Sequence, residues 1–153
     1  MTLRTSESHM QRAIAEAEAA GLRGEVPVGA VLIGPDGAVL AAAGNRTREL
    51  CDPTAHAEIL VIRQAAAKLS SERLTNCDLW VTLEPCPMCA AAISFARIRR
   101  LYFGAADPKG GAVENGVRLF QQPTCHHTPE AYGGFEETRA AELLIEFFDR
   151  LRR

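Results

Sequence analysis

Apolar residues recur at helical spacing early in the chain, where Met10, Ala13, Ile14 and Ala17 share one side of a roughly 3.6-residue period. The pattern predicts an amphipathic helix over residues 6–20, with Gly21 placed to end it. The stretch "VPVGAVLIGPDGAVLAAAGN" then predicts two strands, residues 28–33 and 38–43. Between them "GPDG" carries Pro and Gly where a hairpin turn wants them. A second helix is expected over residues 54–69, with Ile59, Leu60, Ile62 and the run Ala65, Ala66, Ala67 inside it. "DLWVTLE" reads as a short buried strand stopped by Pro85. A third helix over residues 87–96, a strand at "RIRRLYFGA" and a closing helix at "FEETRAAELLIEFFDRLRR" complete the pattern.

Strands alternating with helices after an opening hairpin indicate a layered α/β fold with a mixed sheet. With no internal repeat, low-complexity segment or linker, residues 1–153 read as a single domain. The third helix, "MCAAAISFA", is apolar nearly all round. A helix of that kind is buried on both sides, either inside its own chain or against a second subunit.

Composition narrows the classes. The 153 residues can bury a real core, and 47% hydrophobic with 24% charged residues is an ordinary globular balance. No apolar run reaches the ~18 residues of a membrane span. The polar N-terminal stretch lacks a secretory signal, so a cytoplasmic location is expected. A net charge of −2 argues against a protein that coats nucleic acid non-specifically, while leaving local contacts open. The 5 cysteines are odd in number and without dense, regular spacing, which argues against a disulfide scaffold.

The candidate chemistry lies in "TAHAE" and "EPCPMC". Cys86 and Cys89 point the same way from a first helical turn, whose positive end favours thiolates. Pro87 suits the first helical position. His56 adds a nitrogen donor from another element, and one histidine with two cysteines leaves a fourth tetrahedral position open. A structural zinc site would take a fourth protein donor instead, from Cys51, Cys77, Cys125, His126 or His127. Residues two apart in a helix interior diverge, so His56 and Glu58 share a target only at a helix start. Asp52 and Thr54 can cap that start, and Pro53 fixes the approach. Two helix starts are then expected to face each other across the metal. An open zinc site beside a carboxylate is hydrolytic, with Glu58 moving protons.

His56-x-Glu58 with Pro85-Cys86-x-x-Cys89 matches the known signature of zinc base deaminases. "VPVGAV", "GNRTREL", "DPTAHAEI", "LWVTLEPCPMC", "RIRRLYFGAADPKGGA" and "EFFDRLRR" extend the likeness over nearly the whole chain. The chain resembles the bacterial tRNA-specific adenosine deaminases, the TadA family of the cytidine-deaminase superfamily. The resemblance implies a three-layer α/β/α cytidine-deaminase-like sandwich with a five-stranded mixed sheet. It implies one Zn2+ per subunit on His56, Cys86 and Cys89, with Glu58 catalytic. The implied reaction is hydrolytic deamination of adenosine to inosine at the wobble position of an arginine tRNA with an ACG anticodon. An anticodon loop already exposes the base, so little unstacking is needed. Asn45 would hydrogen-bond the inserted base, Val28 and Ala57 would line the pocket, and Asp107, Lys109, His127 and Phe148 would contact nucleotides. The partners implied are a tRNA anticodon stem-loop and a second copy in a homodimer with the third helix near the interface. Two positions depart from the family pattern: His126 replaces a frequent asparagine, and Asp149 interrupts a tail that is often more basic.

Two rival readings follow from the same residues. One is a deaminase of free bases or nucleosides such as guanine or cytosine, with the same zinc chemistry. The other is a zinc-stabilised RNA-binding module without catalysis, which requires a saturated four-ligand ion.

Overall fold

A computed structural model describes residues 2–152, with side chains described from His9 to Arg152. In chain order the elements are α1 (Thr2–Leu22), β1 (Gly29–Ile33), β2 (Val39–Gly44), α2 (Ala57–Leu69), β3 (Asp78–Leu83), α3 (Pro87–Phe95), β4 (Arg100–Ala105), β5 (Glu130–Tyr132) and α4 (Glu137–Arg152). Helix α1 runs past both expected bounds, and at its C-terminal end Gly21 is not the stop. Gly24 is: it adopts φ +87°, and the Glu25 N–H bonds back to the Ala20 carbonyl at 2.9 Å.

The sheet order is β2-β1-β3-β4-β5. β1 pairs antiparallel with β2 and β3, while β3–β4 and β4–β5 are parallel, so the sheet is mixed. Period-2 alternation sorts its side chains into two faces. Ala30, Leu32, Leu79, Val81, Leu101 and Phe103 pack with α2 and α3. Val31, Ile33 and Trp80 pack with Met10, Ala13, Ile14 and Ala17 of α1 and with Ala140 and Leu143 of α4. Each buried Leu, Val or Phe contributes about 1.5–3 kcal/mol relative to exposure. Trp80 stacks on Tyr102 at 4.0 Å between ring centroids and meets the edge of Phe135 at 5.3 Å. The result is the three-layer α/β/α sandwich that the resemblance implied.

Helix α1 lies on bare backbone. Gly29 and Gly44 pair in register. A Cβ on Gly29 would collide with the Ala13 carbonyl oxygen and stand 2.6 Å from the Ala17 nitrogen. A Cβ on Gly44 would stand 2.6 Å from the Glu16 carbonyl oxygen. Only hydrogen fits at either position.

Two expectations need correction, and the open reading of α3 is narrowed. β5, three residues whose side chains are all exposed, carries no hydrophobic alternation and was not among the elements read from the residues. α2 starts at Ala57 rather than residue 54, because Asp52 Oδ1 accepts from both Thr54 N (2.8 Å) and Thr54 Oγ1 (2.7 Å). That closes a turn before the helix instead of capping it. α3 is not wrapped by its own chain. Cys89, Ala90, Ile93 and Ser94 are buried, whereas Phe95 is 78% exposed.

Candidate metal centre and active site

β3 ends at Leu83, and Glu84 and Pro85 lead directly into Cys86, the residue before α3. Cys86 has extended backbone (φ −73°, ψ 173°) and its side chain makes no cap hydrogen bond, which frees the sulfur. Pro87 occupies the first turn, where a missing N–H costs nothing. Cys89 follows within that turn and is fully buried. Across from it, His56 precedes α2 in the same extended conformation (φ −72°, ψ 152°), again with no side-chain cap. Two helix starts therefore present uncapped donors to each other.

The His56, Cys86 and Cys89 donor atoms lie within 4.8 Å of one another. His56 Nδ1 is 3.7 Å from Cys86 Sγ and 3.5 Å from Cys89 Sγ. Tetrahedral coordination with Zn–S near 2.3 Å and Zn–N near 2.0–2.1 Å separates S and N by about 3.5 Å. Two sulfurs with one imidazole are also a zinc-type donor set. The residues therefore fit zinc in chemistry and in spacing. No fourth His, Cys, Asp or Glu among the described residues lies within that distance of all three. Cys51 is exposed, Cys77 is buried and Cys125 is half-buried, all outside the cluster.

Without a metal, the electrostatics make a thiolate of Cys86 alone, and Cys89 and His56 keep the protons that metal binding would displace. A hydrogen bond from the Cys89 thiol, helped by His56, overcomes burial and pulls the Cys86 thiol down to about 4. As the donor, buried beside Glu58, Cys89 is pushed up. The bond to Cys86 raises His56, against the opposing effect of burial. Glu58, in the first turn of α2, is only 4% exposed. Burial pushes its carboxyl up to about 7, against the pull of its own backbone N–H and of His56.

Asn45 directly follows β2 and ties that strand's end to the start of α2. Its Oδ1 accepts the Ala57 N–H at 2.7 Å, and both residues are buried. That satisfies an orphan donor of α2 from outside the helix. The bond also fixes the amide orientation, because an N–H needs an oxygen. Nδ2 has no hydrogen-bond partner among the described residues. Val28, 5% exposed, and Ala57, fully buried, belong to the core cluster under α2.

The remaining expected contacts lie farther out. Asp107 Oδ1 accepts from Lys109 N (3.2 Å) and Gly110 N (3.0 Å), so the loop after β4 is an Asx-type turn with Lys109 exposed. The His127 ring is engaged with the Ile98 carbonyl through Nε2 at 2.7 Å, away from the donor triad. Phe148, 41% exposed, sits on α4, whose layer covers the opposite face of the sheet. His126 is exposed beside Phe95 in a cavity of about 240 Å³.

Two buried carboxylates went unread in the sequence. Glu25, 2% exposed, accepts from Thr47 Oγ1 (3.4 Å), Arg48 N (3.1 Å) and Glu49 N (2.8 Å), and so holds the loop beyond Asn45. Glu84, also 2% exposed, holds the loop after β4. Burial alone would raise the Glu84 carboxyl, but its hydrogen bonds outweigh this and hold it below the usual range. The signal for each was a charged residue next to an apolar run.

An α/β/α sandwich with a three-donor zinc site and an adjoining buried glutamate defines a zinc-dependent deaminase. Residues 3–105 match the family described as the cytidine and deoxycytidylate deaminase zinc-binding region, and the chain belongs to that family. Within it, the chain is 65% identical over 143 residues to the tRNA-specific adenosine deaminase of Agrobacterium fabrum, covering 94% of this chain and 93% of that one. A solved structure from a study of A-to-I editing by tRNA:A34 deaminases at the wobble position superposes with a TM-score of 0.88 at 66% identity, covering 90% of this chain and 99% of that one. Guanine deaminase from Bacillus subtilis is more distant, with a TM-score of 0.65 at 32% identity over 81% of this chain and 82% of that one. No helix among the described residues is long and apolar enough to cross a membrane.

Proposed function

We propose that this chain hydrolyses adenosine to inosine and ammonia at wobble position 34 of a tRNA, with the arginine ACG anticodon stem-loop as substrate. The observation that carries the chemistry is the convergence of His56, Cys86 and Cys89 beside a buried Glu58, without a fourth protein donor among the described residues. Identity of 65% across 94% of the chain to a tRNA-specific adenosine deaminase supports the substrate class.

Bound zinc on His56, Cys86 and Cys89 supplies Lewis-acid activation of water. Every proton movement falls to Glu58. Its carboxylate accepts a proton from the attacking water and delivers it to the adenine ring nitrogen next to carbon 6. It then carries the second proton to the departing amine, which leaves as ammonia. Burial lifts Glu58 toward neutrality, while a neighbouring divalent cation favours the ionised form that accepts the first proton. The balance of the two suits a shuttle that must both take and give. Asn45 holds the α2 start through Oδ1 and offers Nδ2 to the base. Val28 and Ala57 form the pocket wall. Asp107 and Lys109 contact the nucleotide beside the target; His127 and Phe148, which the resemblance assigns to the surrounding loop, stand farther out, one on the Ile98 carbonyl and the other on α4.

We read residues 1–153 as one catalytic domain, since α1 and α4 pack on the same sheet face. A homodimer is supported by the outer face of α3, where Phe95 is 78% exposed. A tRNA substrate supports a cytoplasmic location.

The test is incubation of zinc-loaded protein with an ACG anticodon stem-loop, reading inosine by sequencing, beside free guanine and cytidine with ammonia as readout. Inosine at the wobble position is the expected result. Ammonia from the free compounds with an unchanged stem-loop would overturn the substrate in favour of a free-base deaminase.

A further inference from the structure

Glu84 holds more backbone than any other side chain near the site, and it stands on the segment that delivers Cys86. Its Oε2 accepts from Val113 N (3.0 Å), Glu114 N (2.9 Å) and Asn115 N (3.0 Å). Its Oε1 accepts from Asp107 N (2.9 Å) and Asn115 Nδ2 (2.7 Å). All these donors are neutral amides from residues 107–115. Successive N–H groups converging on one oxygen form an anion-binding nest, and here the anion is the chain's own side chain. Backbone bonds pin the same segment on both sides: Glu84 N to the Ala105 carbonyl at 2.8 Å and Ala112 N to the Pro85 carbonyl at 2.9 Å. Gly111 is pressed against the carboxylate, and a Cβ there would stand 2.6 Å from Oε2.

We propose that Glu84 is a positioning residue that sets where the 107–115 loop, with Asp107 and Lys109, stands relative to the Cys86–Cys89 helix start, and so determines how tightly the RNA loop is held. This rests on the substrate reading above, in which Asp107 and Lys109 contact nucleotides. Glu84 is not one of the three metal donors, and both its oxygens are taken up by the 107–115 loop. It connects the side of the site that does chemistry to the side that holds the neighbouring nucleotide. A carboxylate is required because both oxygens face donors. The amide of Glu84→Gln would set an N–H against N–H groups whichever way it turned.

The test is steady-state kinetics of the full, zinc-loaded chain on the ACG anticodon stem-loop for wild type, Glu84→Gln and Asn115→Ala. Removing an interaction that serves binding raises KM and leaves kcat in place. Glu84→Gln is expected to raise KM by about tenfold, at unchanged kcat and one zinc per chain, which corresponds to about 1.4 kcal/mol of lost contact between the displaced loop and the RNA. Asn115→Ala, which deletes one of the bonds, should raise KM less and in the same direction. Wild-type KM in Asn115→Ala would overturn the proposal, and that variant decides the case if Glu84→Gln does not fold. A collapse of kcat at unchanged KM would also overturn it. A wild-type chain that forms no inosine sinks the substrate reading and this proposal together. Active wild type with both variants at wild-type KM sinks this proposal alone.

Discussion

Replacing Asn45 by alanine removes the acceptor for the Ala57 N–H at the start of α2. The bond is 2.7 Å long between residues that are 8% and 0% exposed, so water cannot readily replace it. An unpaired buried donor costs about 1–3 kcal/mol. For a chain of this size each kcal/mol lowers the melting temperature by roughly 2–4 °C, giving a fall of about 2–12 °C. The damage is local as well, because the freed turn carries His56 and Glu58 on either side of Ala57. A shift of about 1 Å there can cost on the order of 100-fold in rate. Asn45→Asp separates the two roles. Its carboxylate still accepts the Ala57 N–H at a helix start that favours negative charge, yet it has no N–H to offer the base. Thermal melts of the zinc-loaded protein should show Asn45→Ala well below wild type and Asn45→Asp recovering most of the loss. Inosine formation on the stem-loop should be lost in both. An alanine variant melting within about 1 °C of wild type would refute the hydrogen-bond reasoning. An aspartate variant with full activity would refute the contact to the base.

Glu58→Gln should abolish turnover by at least about 100-fold while retaining one zinc per chain, because the lost function is proton transfer and not ligation; elemental analysis beside single-turnover kinetics checks it, and retained activity would defeat the mechanism. Dialysis against a chelator should remove activity and lower the melting temperature, since a ligand that binds only the folded state stabilises it, and added zinc should restore both. Cys86→Ala and Cys89→Ala should fail to hold stoichiometric zinc in the same elemental analysis. Gly29→Val forces a side chain into the α1 backbone and should destabilise by about 1–3 kcal/mol or more, read by urea denaturation. Because the folded Glu84 carboxyl is depressed below its ordinary 4.5, its contribution is fully present above pH 4.5 and is lost as pH falls through the folded value. The stability gap between wild type and Glu84→Gln should therefore narrow only below pH 4.5, and a gap independent of pH there would refute it.

Hydrophobic period made α1, the hairpin, β3, β4 and α4 legible in the sequence because each buries a regular stripe or alternation. β5 was invisible for the opposite reason: its side chains are all exposed, and backbone pairing to β4 alone makes it a strand. The metal donors His56, Cys86 and Cys89 were readable from local motifs, and Glu58 from its spacing to His56. The partner of Asn45, by contrast, lies 12 residues away and depends on how β2 and α2 pack. Asp52 and Thr54 show a local rule meeting a competitor, since the residues suited to capping bonded to each other first. Glu25 and Glu84 escaped because a carboxylate's burial depends on loops that fold back from far along the chain.

Gly29 and Gly44 each adjoin a residue assigned to the pocket, Val28 on one side and Asn45 on the other. On the proposed reading, the N-terminal helix is the surface on which both pocket strands rest, although none of its described side chains belongs to the cavity itself. Ala20 faces Gly44 through its Cβ, so enlarging it should press on the end of β2 beside Asn45 and alter which bases are accepted, from the far side of the molecule. Laboratory evolution toward a new substrate should therefore recover changes along that helix as readily as changes inside the cleft.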